Sequence, residues 1–426
     1  MLFYHMLWTL VGGPLLLASQ LYENSRLRTR LALDLSPCMD MKKSLWIHAL
    51  SVGEVKSAVP LAQRIREKYP QKKLVFSTTT SQGLNLARKE LSKVVHEIVP
   101  MPLDFWWSSE RVICHIRPEI FVLVETDLWP GLLERLWRRN IDVLLVNGRI
   151  SDKTFRHYKR FKVFARHLFK HIGLCLMQTE RDRERLLELG IGPTRVITTG
   201  NIKFDRPAAV MNKEEKKEWH SKLGISSHSK IWVAGSTHGE ESYMVLEAFF
   251  ALQRQCPDLI LILAPRKIEQ APELYSFARE KGVRCLLRSQ SEERYPAPPE
   301  IVILDTIGEL ERIYALGHIA FVGGSLVDLG GHNLLEPASF GCPVLYGPYT
   351  SNFAWMSDVL EEEGGGIRVS SPEKLKDCLK RILDDEALRK RMGSAALSFV
   401  KKNEGALAAV MAHIDDFIAK GGKAED

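Results

Sequence analysis

Ile319-Ala320-Phe321-Val322-Gly323-Gly324-Ser325-Leu326, followed by Gly330-Gly331-His332-Asn333-Leu334-Leu335-Glu336-Pro337-Ala338, decides how the rest of the chain reads. An apolar run of strand length feeds a glycine-rich turn, and the turn opens onto a helix start at Asn333 or Glu336. Those parts suit an anion. Glycines let backbone N–H groups approach a ligand closely, and the first helical turn adds unpaired donors and the positive end of its dipole, which together suit a phosphate. The same parts also serve simply to turn the chain. Asn333 and Glu336 have the spacing of a capping box, in which the carboxylate closes onto the cap's own N–H. Pro337 favours a start just after Glu336, because proline suits the first helical position, and Glu336 is then open to a ligand.

Outward from this stretch the text is α/β. Ile231 to Gly235, Leu259 to Ala264, Ile301 to Asp305, Ile319 to Gly323 and Val344 to Gly347 are short apolar runs, each followed by a helical pattern. An earlier series does the same: Leu45 to Leu50, Leu74 to Thr78, Ile120 to Val124, Val143 to Asn147, Leu174 to Gln178 and Val196 to Thr199. Strand and helix in alternation imply parallel sheets covered on both faces. With 426 residues, two domains are expected, joined near Ile202 to Pro207. Ligands of such sheets sit at the carboxyl ends of the strands, so two of them facing each other would enclose a cleft. The expected division is a membrane-anchor segment at 1–22, a first Rossmann-like domain at 23–205, and a second at 206–426 ending in a helical strap from Ser371 to Lys420.

The composition narrows the partners. A formal charge of +7 comes with no motif of a nucleic-acid reader, and anionic lipid or phosphate ligands fit better than nucleic acid. The seven cysteines, Cys38 among them, are scattered and never spaced as a metal site or disulfide framework. They read as reduced thiols in a cytoplasmic compartment. Residues 1–21 are mostly apolar but are broken by His5, Gly12, Gly13 and Pro14, with Arg26, Arg28 and Arg30 behind them. That pattern suits a segment that spans or dips into a membrane with the remainder of the chain on the cytoplasmic side, or a buried helix of the first domain. From Asp152 to Glu180, Arg156, Lys159, Arg160, Lys162, Arg166 and Lys170 alternate with Phe155, Tyr158, Phe161, Phe164, Leu168 and Phe169. This is either a solvated basic helix or a face for anionic lipid.

Carboxylates mark the ends of two strands. Ser51-Val52-Gly53-Glu54 follows the first strand and reads as a capping box or as a general base at a strand tip. Val124-Glu125-Thr126-Asp127-Leu128-Trp129-Pro130 ends another, with Asp127 placed as a helix cap and Glu125 nearer the tip.

His48-Ala49-Leu50-Ser51-Val52-Gly53-Glu54, Glu125-Thr126-Asp127-Leu128-Trp129-Pro130, Gly200-Asn201-Ile202-Lys203-Phe204-Asp205, Ala264-Pro265-Arg266 and Phe321-Val322-Gly323-Gly324-Ser325-Leu326 stand in an order that resembles the 3-deoxy-D-manno-octulosonic acid (Kdo) transferases from end to end. The resemblance implies a GT-B fold and an inverting transfer of Kdo from CMP-Kdo to the lipid A precursor (lipid IVA). It implies work at the cytoplasmic side of the inner membrane, with no metal and no cofactor beyond the donor. Carried over by motif, Glu54 matches the general base, and Glu125 and Lys203 match transition-state stabilisers. Pro265 and Arg266, Ile307, Gly308 and Glu309, and Asn333, Leu334, Leu335 and Glu336 match CMP-binding segments. Asp127 stands where many relatives have a glutamate. Lys203 could otherwise be a solvated linker lysine. The same architecture also serves hydrolysing epimerases of sugar nucleotides, so fold alone leaves that activity open. A third reading, a membrane-binding module without catalysis, is disfavoured by the intact set of acids and bases.

Overall fold

The computed structural model describes Tyr4, Trp8, Leu10, Gly12, Pro14 and residues 25–35, 43–205, 211–290 and 297–419. The chain folds as two compact units, Met1–Arg206 with Asn403–Asp426, and Pro207–Lys402.

Unit 1 carries seven strands: β1 (Ser44–Ala49), β2 (Leu74–Thr78), β3 (Glu97–Pro100), β4 (Pro118–Val124), β5 (Asp142–Gly148), β6 (Leu174–Met177) and β7 (Val196–Thr198). They form one parallel sheet in the order β3-β2-β1-β4-β5-β6-β7. Successive side chains of a strand point to opposite faces, and both faces are covered, so β1 is buried at all six positions. Leu45, Ile47 and Ala49 meet Val55, Ala58, Leu61 and Ile65 of the helix Val52–Lys68. Trp46 faces the opposite layer, edge-on to Phe121 with ring centroids 4.6 Å apart. Truncating an aromatic this deep would cost about 3–5 kcal/mol.

Unit 2 repeats the plan with β8 (Lys230–Thr237), β9 (Leu259–Pro265), β10 (Cys285–Leu287), β11 (Ile301–Ile303), β12 (Ile319–Val322), β13 (Val344–Tyr346) and β14 (Gly366–Arg368). Its parallel order is β10-β11-β9-β8-β12-β13-β14. Trp232, Phe249 and Phe321 fill one layer, and Val233, Ile262 and Tyr314 the other.

The strands absent from the apolar-run reading, β3, β10 and β14, lie at sheet edges. An edge strand is covered on fewer sides and needs no continuous apolar run: β3 buries only Val99 and β14 only Gly366. Each sheet has one place where successive strands are added on the other side, between β1 and β4 in unit 1 and between β8 and β12 in unit 2. In open α/β sheets that is where ligands bind.

The tail departs from the expected division. The helices Pro372–Asp384 and Glu386–Lys402 belong to unit 2, but from Asn403 the chain belongs to unit 1. There the helix Ala406–Ala419 sets Val410, Met411 and Ile414 into the cluster of helix Val52–Lys68. Asp205 anchors its start by accepting the N–H groups of Gly405 and Leu407.

Most of the anchor segment expected at 1–22 lies outside the described residues. Of those described, the Tyr4 hydroxyl donates to buried Asp104 at 2.6 Å, and Trp8 sits edge-on to Phe105. A Cβ at Gly12 would come within 2.5 Å of Trp107. At Tyr4, Trp8 and Gly12 the neighbours are thus Asp104, Phe105 and Trp107 of unit 1. Among the described residues no helix is long and apolar enough to cross a membrane. Cys38 also lies outside them, and the other six cysteines are free thiols.

Candidate active site

Glu54 enters the site from the first turn of helix Val52–Lys68, which begins directly after β1. The capping box does not form as the spacing suggested. Ser51 occupies the N-cap position in extended backbone, yet its hydroxyl makes no capping bond. Glu54 Oε2 instead accepts the N–H of Leu50, at 2.6 Å, one residue earlier than a capping box requires. Burial pushes the Glu54 carboxyl up to about 8, and the negative charge of Glu125 adds to this; the Leu50 N–H pulls it down, Asp127 pushes it up and Lys203 pulls it down.

Glu125 stands across the switch point, directly after β4. Its φ of 61° is left-handed, which costs a non-glycine residue about 1–2 kcal/mol. Strain of this kind concentrates at working sites. The Glu125 N–H is held by the carbonyl of Val146 at 2.8 Å, and Oε1 lies 2.6 Å from Lys203 Nζ. Lys203 is therefore no solvated linker lysine. Its turn is fastened by an amide relay: Asn147 Oδ1 accepts the Ile202 N–H, Asn201 Oδ1 accepts the Lys203 N–H, and Gln178 joins Asn147 to Asn201. Asn147 itself is left-handed, with φ 58°, and fully buried. Sequence reasoning missed this positioning role of Asn147 and Gln178, because amides in strand ends carry no periodic signal.

Glu54, Glu125 and Asp127 line one cavity of about 220 Å³, together with Arg149, Ser151 and Thr154. Asp127 is not the helix cap that its position suggested. The helix Pro130–Arg138 has Trp129 at its N-cap, and the N–H groups of Gly131 and Leu132 are taken by Asp104. Asp127 Oδ2 instead accepts the Trp129 indole N–H at 2.8 Å and lies 3.4 Å from Nε2 of buried His48.

In unit 2 the glycine turn after β12 binds an anion, but the anion is the protein's own. The N–H groups of Gly324, Ser325 and Leu326 all donate to the carboxylate of Glu241, as does the N–H of His238, at 2.6–3.1 Å. Glu241 is fully buried, so the N–H groups of Gly324, Ser325 and Leu326 are not open to a phosphate. At Gly324, Ser325 and Leu326 an internal carboxylate stands where a phosphate was expected. No pattern around Glu241 announced it.

The helix that follows also starts elsewhere than expected. It runs Leu335–Ser339, with Leu334 at the N-cap, so it starts at neither Asn333 nor just after Glu336. Asn333 accepts the Leu335 N–H and donates its amide to Glu336 at 3.3 Å, while Leu334 and Leu335 are buried. Pro265 ends β9 buried, and the exposed Arg266 ties its backbone N–H to the carbonyl of Thr237. Beyond β11, Ile307 is 86% exposed, Gly308 has φ 92°, and Glu309 pairs with Arg288 at 2.9 Å. These segments thus follow β11, β9 and β12. Among the described residues no cluster of His, Cys, Asp and Glu has the arrangement of a metal site.

A sequence model of the family described as 3-Deoxy-D-manno-octulosonic-acid transferase (kdotransferase) matches residues 25–206. The 3-deoxy-D-manno-octulosonic acid transferase of Haemophilus influenzae is 33% identical over 368 residues, 86% of this chain and 85% of its own. The transferase of the same name from Chlamydia trachomatis is 29% identical over 364 residues, 84% of this chain and 82% of its own. Among solved structures, the UDP-GlcNAc 2-epimerase from Neisseria meningitidis superposes with a TM-score of 0.62 at 13% identity, covering 88% of this chain and all of that one. Likeness at that identity is of fold, two parallel-sheet α/β units of the GT-B type. The sequence likeness reaches much further, since it spans both units, and the chain belongs to the 3-deoxy-D-manno-octulosonic acid (Kdo) transferase family.

Proposed function

We propose that the protein is an inverting glycosyltransferase that moves Kdo from CMP-Kdo to the lipid A precursor (lipid IVA), with Glu54 as general base. The observation that carries this reading is the Glu54 carboxyl, half-buried at the switch point of unit 1 beside the Glu125–Lys203 pair. A sugar hydroxyl is too weak an acid to attack without losing its proton as the bond forms, and a carboxylate with raised basicity takes that proton well. Only one of Glu54's lone pairs is engaged by a described hydrogen bond, from Leu50, so it keeps acceptor capacity for a substrate. Glu125 supports the positive charge that grows on the sugar as the bond to phosphate breaks, and Lys203 supports the negative charge that grows on the leaving phosphate.

Unit 2 takes the donor in this reading, with Pro265, Arg266, Ile307 to Glu309 and Asn333 to Glu336 around CMP. Arg266, whose side chain is exposed, offers a guanidinium to the phosphate. No metal or further cofactor is required for charge neutralisation.

In this reading the acceptor carries a lipid and the work is done at the cytoplasmic side of the inner membrane. Support comes from the basic stretch, which folds as helices Asp152–Arg160 and Lys162–Lys170. Phe155 and Tyr158 pack onto the core and Leu168 and Phe169 are buried, but Phe161, Val163 and Phe164 are exposed, and Lys170 lies over the exposed Trp137. Apolar side chains ringed by lysine and arginine suit an anionic lipid surface. The test is incubation with CMP-Kdo and a tetraacylated disaccharide phosphate acceptor, with products counted by mass. Acceptor-dependent CMP release with Kdo on the acceptor is expected. CMP release indifferent to acceptor, or turnover of UDP-GlcNAc instead, would overturn the proposal.

A further inference from the structure

The switch point of unit 2 holds a pair of imidazoles that no motif above assigned. His238 is the first residue after β8, and His332 lies in the loop after the neighbouring β12. Their rings are nearly parallel, 6° apart, and the two Nε2 atoms are 2.7 Å from each other. The backbone is shaped to admit them. Gly324 has φ 67°, and a Cβ there would come within 3.0 Å of His332 Cδ2 and 3.5 Å of His238 Cδ2.

A nitrogen–nitrogen contact of 2.7 Å requires one proton between the two atoms, so one ring donates and the other accepts. The pair can therefore be neutral, or carry one added proton on an outward Nδ1, but it cannot hold an N–H on both facing nitrogens. Partial burial lowers the basicity of both rings, that of His332 to about 4, and the positive charge of Arg266 lowers both further, with Lys267 acting on His238 and the charge of His238 on His332. The carboxylate beside them, Glu241, is engaged by four backbone N–H groups, including that of His238. Three basic groups, His238, His332 and Arg266, thus act on one another at one sheet end.

We infer that His238 and His332 form, with Arg266, the clamp for the anionic part of the donor, and that the imidazole pair takes up a proton when the anion binds. This rests on the reading of unit 2 as the donor site and names the ligand chemistry within it: the phosphodiester of a nucleoside monophosphate sugar, or the carboxylate of its sugar. An anion offsets the repulsion from Arg266 and rewards the charged pair, whose bond to it is then charge-assisted. The N–H groups of Gly324, Ser325 and Leu326 cannot do this here, because they serve Glu241.

The test is calorimetry on the full chain at pH 7 in buffers of different ionisation enthalpy. The probes are the methyl phosphodiester of CMP, which has no group titrating near neutrality, and free Kdo, which offers only the carboxylate. Net uptake approaching one proton per probe bound is expected, and the probe that shows it identifies which anion the clamp holds. His238→Gln and His332→Gln should abolish the uptake and weaken binding about tenfold at pH 6, with little change at pH 8.5, as loss of one charge-assisted bond predicts. Binding without proton uptake by the parent, or uptake undiminished in both variants, overturns the inference and leaves the donor reading intact. No binding of either probe by the parent overturns both.

Discussion

Replacing Glu54 with glutamine separates catalysis from stability, because the same carboxyl that is a good base is a costly charge. The side-chain amide introduced by Glu54→Gln would keep an oxygen for the Leu50 N–H but could neither ionise nor accept the acceptor's proton. Loss of a general base costs about 10²- to 10⁴-fold in rate, or roughly 3–5 kcal/mol in the barrier. Stability should move the other way. Folding raises this carboxyl from 4.5 to about 8, so the folded protein holds the proton over a range where the unfolded chain has released it. Stability associated with Glu54 is therefore full below about pH 4.5 and is lost as pH rises through about 8. Glutamine removes that loss. Relative to the parent, Glu54→Gln should gain stability steadily across this window, reaching roughly 2–4 kcal/mol at pH 8.5 once solvent access to a half-buried carboxyl is allowed for. Urea unfolding at pH 5 and pH 8.5 measures this, and single-turnover transfer measures chemistry. In the parent, kcat/KM should climb about tenfold per pH unit on its acid side and level near pH 8. Retention of more than about a tenth of parental turnover, or a stability difference that does not grow with pH, would refute the reasoning.

The neighbours of Glu54 should shift that pH profile in opposite senses. Lys203→Met removes a charge that lowers the Glu54 carboxyl and should carry the acid limb above about 8, whereas Glu125→Gln removes a charge that raises it and should carry the limb below; pH–rate profiles of the two variants decide this. Glu241→Ala leaves four backbone N–H groups without their acceptor and should lower unfolding free energy by about 3–5 kcal/mol, read by urea denaturation. Glutamines at Lys162, Arg166 and Lys170, all exposed, should leave stability unchanged and weaken binding to phosphatidylglycerol vesicles about 100-fold at roughly 1 kcal/mol per charge, read by co-sedimentation.

The two parallel sheets were legible because a strand buried on both faces must be apolar throughout, as β1, β4, β9 and β12 largely are. Glu54, Glu125 and Lys203 were legible as separate motifs, and the fold brings them together because β1 and β4 are neighbours while the turn after β7 leads to Lys203. What the sequence hid were contacts made at long range. Asp104 caps a helix that begins 26 residues later, Glu241 fills a turn more than 80 residues away, and His238 meets His332 across 94 positions. Local spacing carries no record of such pairs. It therefore offered Asp127 for the helix start and a phosphate for the glycine turn, the nearest partners it could see.

Glu54 and Glu241 show what distinguishes a structural carboxylate from a reactive one. Both sit in the first turn of the helix that follows the leading strand of a unit, and burial raises the carboxyl of each. At Glu241 four backbone N–H groups oppose that rise, occupy both oxygens and close the site. At Glu54 one N–H and the charge of Lys203 oppose it, two acids reinforce it, and a cavity adjoins the carboxyl. A carboxylate saturated with donors has little capacity left for a proton in flight. One with a single donor and negative neighbours gains most from accepting it. By the same count Gly324, Ser325 and Leu326 of unit 2, satisfied from within, offer nothing to an external anion, and the basic groups that act on one another at that sheet end include Arg266, Lys267, His238 and His332.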